Sequence, residues 1–277
     1  MRCMSFDLDT YRRAVAPVLT DDLDFTAFRE RPLSPEVLRC LRFMHDVESH
    51  TVCYLRDLLV TSSHRDPEIT TFLTMWNYEE YWHGVALAQV LEAHGEPAEA
   101  ARIAPMRARL GWRDALAPLA SAAGSAVLGA DFIALHMTWG AVNELCTKAG
   151  YDRLTRLAGH DVLSELLGRI AVQETRHIAF YSTQARQRLE RSATARRATR
   201  WALKRLWAPV GSSVMPAAET TFLLDYLLGD VDGLRTAERI DRTIDRLPGL
   251  HGLHLVRTAL RASRRDALAG RGLRQAG

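Results

Sequence analysis

The stretch Glu79-Glu80-Tyr81-Trp82-His83-Gly84 and its distant counterpart Gln173-Glu174-Thr175-Arg176-His177 decide how this chain is read. Each contains a Glu-x-x-His step. On a helix, residues three apart share a face, so Glu80 points with His83 and Glu174 with His177. Working outward, each step follows a solitary glutamate on an apolar segment. Glu48 stands 32 positions before Glu80, and Glu144 stands 30 before Glu174. Glu followed by Glu-x-x-His, occurring twice, is a donor set that holds two metal ions inside a four-helix bundle.

The six residues fall on apolar stripes. Leu41, Met44, Glu48, Thr51, Leu55 and Leu58 share one spacing, as do Ile69, Leu73, Trp76, Glu80, His83 and Leu87. Ile133, Met137, Gly140, Glu144 and Thr147 form the third stripe, and Leu163, Leu167, Ile170, Glu174, His177 and Tyr181 the fourth. Helical periodicity therefore puts all six on buried seams. An ionised carboxylate in such a place costs several kcal/mol, and four together repel. Two divalent cations balance four carboxylates, and one imidazole per metal adds nitrogen ligation. Mixed oxygen and nitrogen donors favour iron or manganese over calcium or magnesium. His45, His50, His94 and His136 are expected to be structural or surface residues. Glu79 points about 100° away from Glu80; it is either a partner to a ligand or part of a polar flank.

The surrounding sequence reads as helix throughout, with neither strand alternation nor hairpin signals. Ser34-Pro35-Glu36 starts a helix expected to run to about Thr61. Asp66-Pro67-Glu68 starts a second, which Gly95 closes. A short helix is expected from Pro97 to about Leu110. Residues 115–129 are ambiguous, with Gly124 and Gly129 as candidate breaks. A third long helix is expected to reach a C-cap at Gly150, with Tyr151 to Ala158 adding a turn or two. The fourth starts near Asp161 and passes Gln187. From about Arg196 to Gly277 further helices are punctuated by Pro209, Pro216, Gly229, Pro248 and Gly252. The expected architecture is all-α: one domain over residues 1–277, with a bundle at about 35–190 and a helical C-terminal extension at about 196–277. The interval from Glu80 to Glu144 is 64 positions, twice the other two. Two helix hairpins joined by a long crossover give that asymmetry, which is ferritin-like connectivity.

The composition is that of a soluble globular chain: 277 residues, 47% hydrophobic and 25% charged. No run approaches the roughly 18 apolar residues of a membrane span, and the N-terminus lacks a signal-type apolar stretch. Cys3, Cys40, Cys53 and Cys146 show no paired spacing, so a cytoplasmic location is expected. Lys148 and Lys204 are the only lysines. With abundant alanine, this reads as the mark of a G+C-rich, bacterial-type genome. Basic residues crowd from Arg186 to Arg205, opposed only by Glu190. The stripe is either a solvated helix face or a dock for an acidic partner. Nucleic-acid binding is not expected, since no recognised motif accompanies it.

These residues resemble the ferritin-like diiron-carboxylate superfamily, and within it the soluble acyl-carrier-protein desaturases. Glu79-Glu80-Tyr81-Trp82-His83-Gly84 is similar to their Glu-Glu-x-x-His-Gly. The run from Gly168 to His177 is similar to their Arg-Ile-Ala-x-Asp-Glu-x-Arg-His, with Gln173 in the Asp position. Thr147 follows Glu144 by one turn, as in desaturases. The resemblance covers about residues 35 to 190. Ile170 stands where p-aminobenzoate N-oxygenases carry an extra histidine, and Leu87 where ribonucleotide reductases carry a radical tyrosine.

The resemblance implies a non-haem diiron oxidase or oxygenase that activates O2. It would desaturate or hydroxylate an acyl or other organic substrate. Glu48 and His83 would hold one iron, Glu144 and His177 the other, with Glu80 and Glu174 bridging. A manganese–iron pair is the alternative. Thr147 would hydrogen-bond activated oxygen or relay a proton; otherwise its hydroxyl bonds the carbonyl one turn back. The chain has no flavin or nucleotide motif, so an external electron donor, a ferredoxin or reductase, is expected. An acyl carrier protein or a small-molecule substrate is a candidate partner, and a homodimer a candidate assembly. The competing readings are an N-oxygenase or hydroxylase of specialised metabolism and a ferroxidase that handles iron without an organic substrate.

Overall fold

A computed structural model describes residues 6–97 and 99–275; Cys3 and the rest of the first five residues lie outside them, as do Ala98 and residues 276–277. Among the described residues the chain is all-helical, with no strand. The order is α1 (Leu8–Ala14), α2 (Ala27–Glu30), α3 (Pro35–Glu48), α4 (Thr51–Leu59), a 3-10 turn (Ser62–Arg65), α5 (Pro67–Ala93), α6 (Glu99–Leu128), α7 (Asp131–Ala158), α8 (Asp161–Arg191), α9 (Ala193–Leu206), α10 (Ala217–Leu228), α11 (Val231–Asp245) and α12 (Leu255–Gln275).

The expected starts are made as the sequence indicates. Ser34 accepts from Val37 N–H, and Asp66 accepts from Glu68 and Ile69 N–H, each with proline next in line. The first expected helix, however, does not run unbroken to Thr61. It breaks immediately after Glu48, at Ser49 and His50. Thr51 Oγ1 donates to Glu48 O at 2.7 Å, taking a carbonyl the helix ladder would have used. Leu55 and Leu58, on the far side of the break, are only half-buried.

The expected end of the helix near Leu110 is borne out: Gly111 is non-helical (φ 62°), and α6 consists of two helical pieces that meet there. Two further boundaries differ or are settled. Gly124 does not break the second piece, whereas Gly129 ends it in left-handed backbone. Gly150 is not the C-cap of α7. The helix runs on to Ala158, and Gly159 caps it with φ 57°. Tyr151, Arg153 and Leu154 are buried beyond Gly150, which is why the helix persists there.

Packing ties the four long elements into a ring. α3 lies along α5, α7 lies along α8, and α5–α8 and α3–α7 contacts close it. The shared interior contains Leu41, Leu73, Leu87, Met137, Leu167 and Ile170, each at most 1% exposed. A fully buried side chain of this size contributes about 1.5–3 kcal/mol. Gly140 permits one close approach: a Cβ there would lie 2.3 Å from the Tyr181 ring. α1 contacts α5, and the C-terminal helices dock on α7. Arg153 secures that docking, donating to Leu227 O at 2.8 Å and pairing with Asp230 at 2.6 Å. No helix among the described residues is long and apolar enough to cross a membrane.

Candidate metal centre

The four long helices bring all six sequence-predicted ligands together. Glu48 closes α3; Glu80 and His83 lie on α5; Glu144 lies on α7; Glu174 and His177 lie on α8. Every one is buried. Glu48, Glu80, His83 and Glu174 each offer a ligand atom within 4.8 Å of the others, and so do Glu80, Glu144, Glu174 and His177. The two groups share Glu80 and Glu174. One group adds Glu48 and His83; the other adds Glu144 and His177.

Both histidines turn Nδ1 inward. His177 Nδ1 lies 3.1 Å from Glu80, 3.5 Å from Glu174 and 3.9 Å from Glu144. His83 Nδ1 lies 3.4 Å from Glu174 and 3.8 Å from Glu80. The outer nitrogens are held differently. His177 Nε2–H donates to the Glu79 carboxylate at 2.8 Å, and His83 Nε2–H donates to Gln173 Oε1 at 2.8 Å. Gln173 in turn donates its amide to Ala16 O at 3.0 Å, which fixes its carbonyl toward the ring. In its neutral form each imidazole therefore carries its proton outside and a lone pair inside.

Whether this shell fits a metal can be judged from its own atoms. Glu80 Oε1, both Glu174 oxygens, His83 Nδ1 and His177 Nδ1 are buried without a hydrogen-bond partner. Buried polar atoms are nearly always satisfied, and a cluster of orphans aimed at one another is a set of donors that could hold an ion. Carboxylate oxygens and imidazole nitrogens are donors suited to iron or manganese.

The outer contacts fix the rest. Tyr151 donates its hydroxyl to Glu48 Oε1, and Trp76 Nε1–H donates to Glu144 Oε1 at 2.9 Å. Glu79, fully buried, also accepts from Tyr11 at 2.8 Å and Arg176 at 2.7 Å. It is thus a partner to a ligand and not a polar flank. Burial and then repulsion from neighbouring carboxylates push Glu48, Glu80 and Glu144 above the ordinary range. Burial alone would raise Glu174 as well, but the close approach of the His177 and His83 rings outweighs it and holds the group low. For His177, burial disfavours the charged ring; Glu174, Glu79 and Glu80 outweigh that and raise it.

A cleft of about 430 Å³ adjoins the cluster, touching Glu48, Glu80 and Glu144. Trp76, Trp139, Phe132 and Tyr181 supply aromatic walls, and Thr51, Asn143 and Thr147 polar points. Thr147 is half-buried, and its hydroxyl makes no hydrogen bond among the described residues, so the carbonyl back-bond is not formed. The other histidines stay outside both groups. His45 pairs with Asp46 at 2.9 Å, His136 with Ser63 at 2.7 Å, and His94 accepts from Leu33 N–H at 3.1 Å; His50 approaches Asp114 at 3.5 Å.

The basic stripe divides into bonded and exposed side chains. Arg188 reaches Asp66 at 2.6 Å, Arg196 bonds Leu189 O at 2.7 Å, and Arg200 bonds His251 O at 2.7 Å. Arg186, Arg191, Arg197, Lys204 and Arg205 remain exposed, with Trp201 among them on α9. Tyr11 and Tyr151 carry no motif that announces them. Tyr151 does lie seven residues after Glu144, on the same helix face, which was the available signal. The chain matches no protein-family model, no curated protein and no solved structure.

Proposed function

We propose that the chain is a carboxylate-bridged dimetal oxidoreductase of ferritin-like topology that couples O2 to the oxidation of an organic substrate. The observation that carries this reading is the pair of four-residue groups sharing Glu80 and Glu174. Two iron ions, or a manganese and an iron, would be held by Glu48 and His83 on one side and Glu144 and His177 on the other. Metals held there would supply O2 reduction and hydrogen abstraction from a C–H bond, chemistry that side chains alone do not provide.

The protein's own residues orient and insulate. Tyr151 and Trp76 each tie one oxygen of a terminal carboxylate and leave the other for a metal. Glu79 and Gln173 set the imidazole tautomers, the kind of support that fixes ligand direction. Trp139, Phe132 and Tyr181 wall the cleft and keep water from the substrate. Thr147 lines the cleft with its hydroxyl unbonded and is the group that would donate to, or pass a proton toward, an oxygen held there.

The cleft supports an enzyme over an iron-handling protein, which needs no organic cavity beside the cluster. Its lining mixes aromatic and polar groups. A mixed lining accommodates desaturation, hydroxylation and N-oxygenation alike. Electrons would come from a ferredoxin or reductase docking on the exposed basic face of α9; an acyl carrier protein would use the same face. The test is metal analysis of the purified protein, then stopped-flow mixing of the anaerobic Fe²⁺ form with O2. Two irons per chain and a transient visible band are expected. Absence of tight binding for iron and manganese alike would sink the proposal.

A further inference from the structure

A second cavity lies on the other side of Glu48. Its volume is about 90 Å³, and it is bordered by α3, α7 and the C-terminal helices α10, α11 and α12. Val47, Glu48, Thr147, Pro209 and Val210 line both this chamber and the larger cleft, so the two meet at the metal cluster. Elsewhere its walls are side chains such as Phe43, Met44, Leu224, Leu227 and Val256.

The lining decides what can occupy it. Its one carboxylate is Glu48, which belongs to the cluster, and Tyr151 is engaged with Glu48. Thr220 Oγ1 is the buried hydroxyl of the lining that lacks a partner. A charged ligand would be desolvated there without a counter-charge. Beyond Glu48, the lining offers an ordered water only the free hydroxyls of Thr147 and Thr220, the minimum of the two to four polar partners it needs, in walls that are otherwise apolar. Apolar cavities of about 150 Å³ stay dry and admit benzene. A chamber of about 90 Å³ suits something smaller.

Gly150 keeps the space open. It sits within α7, where glycine costs up to about 1 kcal/mol relative to alanine. No clash requires it, because a Cβ there would stand 3.4 Å from Met44 Cε and 3.7 Å from Leu227 Cδ1, ordinary contact distances. What a side chain at this position would remove is chamber volume.

We infer that this chamber is a binding site for a small, uncharged, apolar group: dioxygen, or the short alkyl end of the organic substrate. The chamber is read from packing alone; its service to oxidation rests on the dimetal proposal. It also gives the C-terminal helices a role, as the far wall of a compartment that opens on Glu48 and Thr147.

Xenon is the probe, because it reports an apolar void whether or not metal is bound. Crystals of the iron-loaded protein under xenon pressure should show anomalous density among Met44, Leu224, Leu227 and Gly150. Gly150→Ala, which is expected to fold at least as well as the wild type, should lower that occupancy at least fivefold. Ordered water in the chamber, no xenon there, or unchanged occupancy in Gly150→Ala would overturn the inference. The rate of Fe²⁺ oxidation against O2 concentration separates the two sources. A rate reduced at low O2 in Gly150→Ala assigns the chamber to dioxygen. An unchanged rate with xenon excluded assigns it to an alkyl group. Xenon bound as expected in a protein that fails to oxidise Fe²⁺ leaves the chamber standing and counts against the dimetal proposal.

Discussion

Glu79 and His177, 98 positions apart in sequence, meet at 2.8 Å between a carboxylate oxygen and Nε2. The same carboxylate takes hydrogen bonds from Tyr11 and Arg176, and the equivalent contact at His83 is made by the neutral Gln173. The two imidazoles thus differ in basicity: one leans on a buried charge, the other on an amide dipole. Glu79→Ala would leave Tyr11, Arg176 and His177 without their common acceptor. It is expected to weaken metal affinity about 10–100-fold, whereas Gln173→Ala should fall at the lower end of that range. Metal titration by calorimetry checks this, and equal losses in the two variants would refute the asymmetry.

The shared carboxylates should matter more than the terminal ones. Glu80→Ala and Glu174→Ala each remove a residue common to both groups and are expected to abolish both metals. Glu48→Gln removes a residue from one group only. Without metal, that variant should be more stable than the wild type by about 1–4 kcal/mol, because a buried, repelled carboxylate becomes a neutral amide of the same shape. Urea unfolding with a chelator present measures it. A less stable metal-free Glu48→Gln would mean that the carboxylate cluster is not strained.

How much of this was legible in the sequence follows from what each residue costs. A carboxylate on an apolar stripe is expensive, so Glu48, Glu80, Glu144 and Glu174 stand out wherever helical periodicity holds. Ser34, Asp66 and their prolines carry local capping chemistry and place two helix starts correctly. The break after Glu48 was hidden because Ser49, His50 and Thr51 look like ordinary helix residues until Thr51 captures a carbonyl. Gly150 reads as a cap only if the buried residues beyond it are unknown. Tyr11 meets Glu79 across 68 positions on a separate short helix, a contact that no local pattern encodes.

Thr147 offers a test that leaves the metal shell intact. Thr147→Val keeps the shape and removes the unbonded hydroxyl of this cleft-lining residue. Turnover should fall about 100-fold or more if Oγ1 handles a proton, with iron content and melting temperature unchanged. Thr147→Ser should restore most of the rate. A valine variant with full activity would return Thr147 to an ordinary lining role.

The exposed part of the basic stripe is the place to test for a reductant. Arg197→Glu combined with Lys204→Glu and Arg205→Glu reverses three charges that are exposed on α9. The rate with reduced ferredoxin as donor should fall at least tenfold at low salt and converge with wild type at high salt, as screening predicts. Arg196→Glu and Arg200→Glu are poor probes, because those side chains bond backbone carbonyls and their loss would disturb the fold. Identical donor kinetics at low salt would remove α9 as the dock.

His136 supplies a pH-dependent element of stability apart from the metal ligands. Its ring is 5% exposed and bonded to Ser63 at 2.7 Å. Burial, with Arg188 nearby, pushes its pKa down to about 3. In the unfolded chain the same group titrates near its ordinary value of about 6.5. Between those values the unfolded state binds the proton and the folded state does not, so stability falls as pH falls. From pH 7 to pH 5 the loss from this residue is about 2 kcal/mol. His136→Asn removes the titrating ring while keeping a side-chain nitrogen for Ser63. Chelator-treated wild type should therefore lose about 2 kcal/mol more than His136→Asn over that interval, measured by urea unfolding at both pH values. Parallel losses in the two proteins would show that His136 is protonated, or solvated, in the folded state.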